Sequence, residues 1–421
     1  MNSFCLKGDF IYADKNKNLI EKEDSYCVVI NNVSKGIFKE IPFKFKDLPL
    51  KDYSGKVITP GLIDLHLHAP QYNYRGVGGD KELLDWLNTY TFPEEAKFSN
   101  LEYADASYDI LVNDLKKSFT TRAVIFSSIH TESSLLLAKK LENSGLITYV
   151  GKVNMDRNSP DFYIETTEES TLNTVSFIRG MKKFKYTYPI ITPRFVPTCS
   201  DGLLSNLGEL VSKYNIPVQS HLSENRGEIS WVSELNKKSK FYGDAYDMFG
   251  LFGSNSKTIM AHCVSSSDLE IDLMKKNNVY IAHCPSSNEN LASGIAPVKR
   301  YLEEGLNIGL GTDFAGGHHI SLFDEMCEAL QVSKLHYRYL DKDKKPLTIG
   351  EVFYMATLGG GSFFGKVGSF ENGYSFDAII LDDSKMKSCL KFSLKERLER
   401  IIHINSEVSL VDKYVAGRLV K

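Results

Sequence analysis

Eight apolar runs alternate with helix-patterned segments across residues 57 to 313, and no other feature of the chain limits its fold so strongly. The runs are Val57 to His68, Ala123 to His130, Ile147 to Met155, Ile190 to Pro197, Ile216 to Glu224, Thr258 to Val264, Val279 to Cys284 and Ile308 to Asp313. Strands that are apolar throughout belong to a parallel sheet covered on both faces, with helices as the crossovers. Ser133 to Lys140 and Asp268 to Lys275 carry helical spacing behind two of the runs. Eight such strands within about 260 residues are the count of a closed (β/α)8 barrel of TIM type.

The flanks read differently. Asp9 to Tyr12 and Tyr26 to Ile30 near the amino terminus, and Ser375 to Asp382 and Val408 to Val411 near the carboxyl terminus, are short strand-like stretches. The helix-prone segment Lys395 to Arg400 interrupts the second pair. Neither flank has enough apolar residues for a core of its own. The expected organisation is therefore a small discontinuous β-sandwich domain, residues 1–56 plus 370–421, beside an α/β barrel domain over residues 57–369.

A barrel of this kind places its chemistry where the strands end at their carboxyl termini. Of the ten histidines, His66, His68, His130, His221, His262 and His283 fall at such ends. His66 and His68 are two apart, so on a strand they point to one side. Two imidazoles do not complete a metal site, which takes three or four ligands. His221 and Asp313 end the fifth and eighth runs, and the barrel brings them to the same face. The expected metal ligands are His66, His68, His221 and Asp313. Zinc is the expected ion, one per subunit, although iron(II) or manganese also suits such donors. A catalytic zinc ion lowers the pKa of water to about 7. Asp313 is placed to accept the proton of that water, Glu224 to shuttle a proton to a substrate, and His262 to steady the attacking oxygen. His283 either joins the site or only shapes the rim.

Composition narrows the partners. A net charge of −3 gives no electrostatic case for nucleic acid or an anionic membrane surface. The seven cysteines are odd in number and lack any C-x-x-C pair, which points to reduced thiols and a cytoplasmic setting. No secretory leader pattern or run of 18 apolar residues occurs. The H-x-E with P-C-x-x-C pattern of zinc nucleoside deaminases is missing, and Gly359-Gly360-Gly361 lacks the lysine of a phosphate loop.

The blocks Pro60 to His68, His221-Leu222-Ser223-Glu224, Ala261-His262-Cys263, His283 to Asn288 and Gly309 to Asp313, in that order, resemble the amidohydrolase superfamily in its mononuclear deaminase branch. A narrower set resembles the guanine deaminase family: His68-Ala69-Pro70-Gln71-Tyr72, Leu84 to Pro93, Gly151 to Asp156 and Pro193 to Pro197. The resemblance implies hydrolysis of guanine to xanthine and ammonia with zinc, and a homodimer. It also implies that Gln71, Arg194 and Phe195 line a purine pocket, together with His68, His221, Glu224 and Asp313. Those residue types suit a flat base: an amide, a planar cationic donor and an aromatic face. Trp86 is expected in helix core rather than in the pocket. Lys152 lies where dinuclear relatives carry a bridging carbamylated lysine, and Glu224 favours the single-metal alternative. Another purine, a pteridine, a triazine or a cyclic amide is the competing substrate class, and a catalytically silent binding barrel is the competing function.

Overall fold

Residues 2–420 are described by a computed structural model; Met1 and Lys421, the outermost residues of the expected terminal domain, lie outside them. The barrel strands in chain order are Leu62–His68, Thr120–Phe126, Ile147–Gly151, Thr187–Pro189, Val218–Leu222, Thr258–His262, Tyr280–His283 and Asn307–Leu310. They form one eight-stranded sheet, parallel in every pairing, and a parallel bridge from Ile191 to Val218 joins its two edges. The sheet is therefore closed, with helices such as Thr131–Ser144 and Asp268–Lys276 packed outside it. Among the described residues no helix is long and apolar enough to cross a membrane.

Two strands depart from the expected runs. Val57 to His68 is not one strand: Leu50–Pro60 belongs to a second sheet, where Ile58 pairs with Ile380, and the barrel strand begins only at Leu62. The expected domain boundary after residue 56 thus falls inside that strand. Gly61 is the handover, and a Cβ there would lie 2.1 Å from Thr121 Cγ2, closer than packing allows. The fourth barrel strand, Thr187–Pro189, ends before the expected run Ile190 to Pro197 begins, and that run holds only the short strand Thr192–Pro193 and the start of the 3-10 turn Val196–Thr198. Pro189, Pro193 and Pro197 supply no N–H to a ladder, which is why this stretch is irregular. Thr192–Pro193 pairs instead with Val153–Asn154.

The second sheet draws seven strands from both flanks. In spatial order they are Arg418–Val420, Ser409–Val415, Ala378–Asp382, Leu50–Pro60, Phe4–Ala13, Leu19–Ile30 and Val33–Phe38. Its own core holds Phe4, Leu6, Phe10, Phe370, Phe376 and Tyr414. The amphipathic helix Leu394–His403 opens with a capping box between Ser393 and Glu396.

Where this sheet meets the barrel, buried charges are held by hydrogen bonds across the seam. Arg122 of the second barrel strand donates from Nε and Nη2 to the two oxygens of Asp377, at 2.6 and 3.0 Å, and Asp377 also accepts from the Ala416 amide. Lys413 donates to the carbonyls of Leu115 and Thr120.

Candidate active site

The first barrel strand is pinned before it reaches its histidines. Asp64, wholly buried, accepts hydrogen bonds from the amides of His66 and Thr312 and from the Thr312 hydroxyl, which ties the first strand to the end of the eighth. Burial raises the Asp64 carboxyl to about 6 despite those donors. The approach is tight: a Cβ on Gly311 would sit 2.8 Å from the Cβ of His66. Three strand-end residues, Ser223, His262 and Asp313, take positive φ angles of 47°, 73° and 47°. Such angles in residues with a side chain cluster at functional sites.

Six side chains converge on this face. His66 Nε2 lies 3.1 Å and His68 Nε2 3.4 Å from Asp313 Oδ1, and His68 Nε2 is 3.1 Å from His221 Nε2. His262 Nε2 stands 3.7 Å from Asp313 Oδ2 and 3.4 Å from Glu224 Oε2. Two triads, His66 with His68 and Asp313, and His66 with His221 and His262, have ligand atoms all within 4.8 Å of one another. Burial drives His66 below the usual imidazole range, and His68 and His221 well below it. Neutral imidazoles facing one another at 3.1 Å present lone pairs to a common point, which calls for a cation. His66 Nε2 and His262 Nε2 are buried with no hydrogen-bond partner, as is His68 Nδ1. The donor set fits a divalent metal, and the expected ligands His66, His68, His221 and Asp313 are together. His262, expected only as a steadying group, belongs to one metal-capable triad as well.

Neighbours set the tautomers. His221 Nδ1 lies 2.6 Å from the Arg194 carbonyl and must donate to it, leaving Nε2 free to bind. His262 Nδ1 likewise faces Asn288 Oδ1 at 2.9 Å. Burial alone would raise Asp313, but the imidazoles around it hold its carboxyl well below the ordinary range. Glu224 is the opposite case. Burial first, and then the charge of Asp313, push it well above the usual carboxylic range.

A cavity lies directly over this cluster. It is lined by His68, Gln71, Leu83, Trp86, Leu87, Arg194, Phe195, His221, Glu224, Glu228, His262, Leu291 and Asp313. Every residue expected to bind substrate is therefore on one wall or another. Trp86 was expected in helix core; it packs with Phe92, Tyr163 and Phe195 and also lines the cavity. Its helix, Leu83–Trp86, runs into a wider turn at Leu87–Thr91, and this change of register delivers Leu83, Trp86 and Leu87 to the mouth.

Other expected residues lie elsewhere. Lys152 is buried in an ion pair with Glu165 at 2.5 Å and does not line the cavity, so the bridging-lysine alternative finds no support. His283 points into a separate cleft beside His336 and Lys299. His130 is not at a strand end; the second strand stops at Phe126, and His130 precedes the helix Thr131–Ser144.

Sequence reasoning passed over Glu95. It is fully buried and pairs with Arg194 through both carboxylate oxygens, at 2.7 and 3.2 Å. The only signal was Pro93-Glu94-Glu95, which reads as ordinary acids in a first helical turn. Glu228, which accepts from the Glu224 amide and the Tyr242 hydroxyl, was missed for the same reason.

The amidohydrolase family profile matches residues 57–420. A guanine deaminase of Dictyostelium discoideum is 40% identical over 379 residues, covering 88% of this chain and 84% of that protein. The guanine deaminase of Homo sapiens is 38% identical, covering 89% of this chain and 86% of its own. A crystal structure of guanine deaminase from C. acetobutylicum with bound guanine superposes with a TM-score of 0.97 at 48% identity, over the whole of both chains. The chain belongs to the amidohydrolase family, on its guanine deaminase branch.

Proposed function

We propose that this chain hydrolyses guanine to xanthine and ammonia, using one zinc ion per subunit. The observation that carries the proposal is a single cavity lined by Arg194, Gln71 and Phe195 together with members of the histidine and aspartate cluster and Glu224, whose carboxyl pKa burial raises.

Arg194 and Gln71 offer hydrogen bonds to the edge of a purine, and Phe195, steadied by the edge of Trp231 at 6.4 Å, offers its face. His66, His68, His221 and Asp313 would hold the metal, which when bound supplies Lewis acidity and makes water a nucleophile near neutral pH. Glu224 gives its proton to the ring nitrogen beside the carbon that bears the amine, as water adds to that carbon. Asp313 takes a proton from the water and returns it to the amine, which leaves as ammonia. Glu224 then recovers a proton from the added hydroxyl, so that water plus guanine balances xanthine plus ammonia. His262, with Nδ1–H on Asn288, presents a lone pair at Nε2 and steadies the attacking water by accepting its O–H.

The fold, the free state of all seven cysteines and the similarity to the deaminases support a cytoplasmic homodimer as part of this reading. The test measures metal content and guanine-to-xanthine absorbance on one preparation, with ammonia release from guanine, adenine, cytosine and cyclic ureides. Turnover confined to guanine is the expected result. Preference for another ring, or no turnover by metal-loaded protein, would refute the proposal.

A further inference from the structure

Glu95 has no part in the chemistry just described, yet it is the most completely bonded carboxylate around the cavity. Its Oε1 accepts from Gln71 Nε2 at 2.8 Å and from Arg194 Nη2 at 3.2 Å; its Oε2 accepts from Arg194 Nη1 at 2.7 Å and from the Tyr163 hydroxyl at 2.9 Å. Four donors use the four lone-pair positions of a carboxylate, so nothing remains with which to touch a ligand. Glu95 does not line the cavity. Its two cavity-lining partners do.

We infer that Glu95 is a positioning residue that fixes the hydrogen-bond polarity of the purine wall, so that the site accepts a ring carbonyl and rejects a ring amine at the same place. This rests on the guanine reading above. Arg194 carries five N–H donors in a rigid plane, and Glu95 fixes that plane by engaging both terminal nitrogens from behind. Burial opposes the guanidinium charge, and Glu95 more than offsets it, so Arg194 stays a cation. Gln71 is clamped at both ends: its Nε2 on Glu95, its Oε1 accepting from the Ala315 amide at 3.0 Å. The amide cannot turn over, and its remaining N–H keeps a fixed position beside Arg194. Donors held side by side on Glu95 Oε1 suit an oxygen or an unprotonated ring nitrogen. An exocyclic amine would set N–H against N–H in a water-poor cavity, and sites built around such pairing discriminate strongly.

The experiment compares wild type, E95Q, E95D, R194Q and the E95Q/R194Q double variant, with metal content confirmed for each. It reads the KM and kcat for guanine and the competitive inhibition constants of hypoxanthine and adenine, which present a carbonyl and an amine respectively. In E95Q the guanine KM and the hypoxanthine constant should each rise by about 30- to 100-fold, the size expected when charged hydrogen bonds are lost. Adenine should change by less than about threefold and kcat by less than about tenfold, since the reacting groups are untouched. E95D, which keeps the carboxylate, should recover at least part of the hypoxanthine preference. The double variant should be no worse than R194Q alone, because Glu95 acts through Arg194. Equal weakening of hypoxanthine and adenine in both E95Q and E95D, or losses that add in the double variant, would overturn the assignment. The two readings fail separately. Wild-type protein that leaves guanine unchanged defeats the guanine reading, whereas unmoved selectivity in E95Q and E95D defeats only the role of Glu95.

Discussion

The seam between the two sheets and the mouth of the barrel both bury charge, and they treat it in opposite ways. At the seam Arg122 and Asp377 satisfy each other through two hydrogen bonds, Ser375 and the Ala416 amide take up the rest, and Lys413 ends on two carbonyls. At the mouth His66 Nε2 and His262 Nε2 are equally dry and have no hydrogen-bond partner, although they stand 3.1 and 3.7 Å from the oxygens of Asp313. An unpaired buried polar atom costs about 1 to 3 kcal/mol, so a fold keeps several together only where something else completes them. Full pairing marks groups whose partner is the protein. Missing pairing clustered among potential ligand atoms, as at the mouth, suits a partner that comes from outside. Glu95 and Arg194 belong to the first kind although they sit beside the second.

The sharpest way to break this contrast is at Glu224. Replacing it by Gln keeps its shape and removes its proton transfer, so kcat should fall by about 10³- to 10⁴-fold while metal content and melting temperature hold. A variant of near-normal rate would remove Glu224 from the chemistry. The seam should respond in stability instead. Asp377→Asn leaves Arg122 buried without its counter-charge and should cost about 3 to 5 kcal/mol in denaturant unfolding, with the KM for guanine unchanged in the folded fraction. Unaltered unfolding would mean that the pairing there is not what holds the sheets together.

The smallest effect is a pH dependence. Burial depresses Lys413 from 10.5 to about 7, so between those values the unfolded chain holds a proton that the folded one lacks. Stability from this group is fully present above about 10.5 and is lost as pH falls through about 7. Wild type should therefore gain on the order of 1 kcal/mol per pH unit between pH 7 and 9 relative to Lys413→Met, measured by urea unfolding. Parallel profiles for the two proteins would show that Lys413 keeps its proton in the seam.

What the sequence made legible was whatever short-range pattern encodes. The eight runs, the strand-end positions of His66, His68, His221, His262 and Asp313, and the turn from His68 to Gln71 all follow from a two-residue period and the barrel rule. What stayed hidden depends on contacts between distant segments. Val57 to His68 reads as one run because apolar continuity cannot say which sheet a strand joins; the change at Gly61 is set by Thr121 and by the pairing with Ala378–Asp382. Glu95 looked like a helix-start acid because its partners, Gln71, Tyr163 and Arg194, lie 24, 68 and 99 residues away. Trp86 is in a core cluster as expected and lines the cavity as well, where its helix changes pitch one residue later.

The bonds from Asp64 to Thr312 bridge 248 residues of chain and close the first barrel strand against the last. Loops of that length close slowly, because their entropy is lost before the contact repays it. The proposed ligand set is divided across this closure, with His66 and His68 on one side and Asp313 on the other. Metal binding by these residues would therefore need this ring closed: a chain that has built its helices and most of its sheet still has only part of the proposed site.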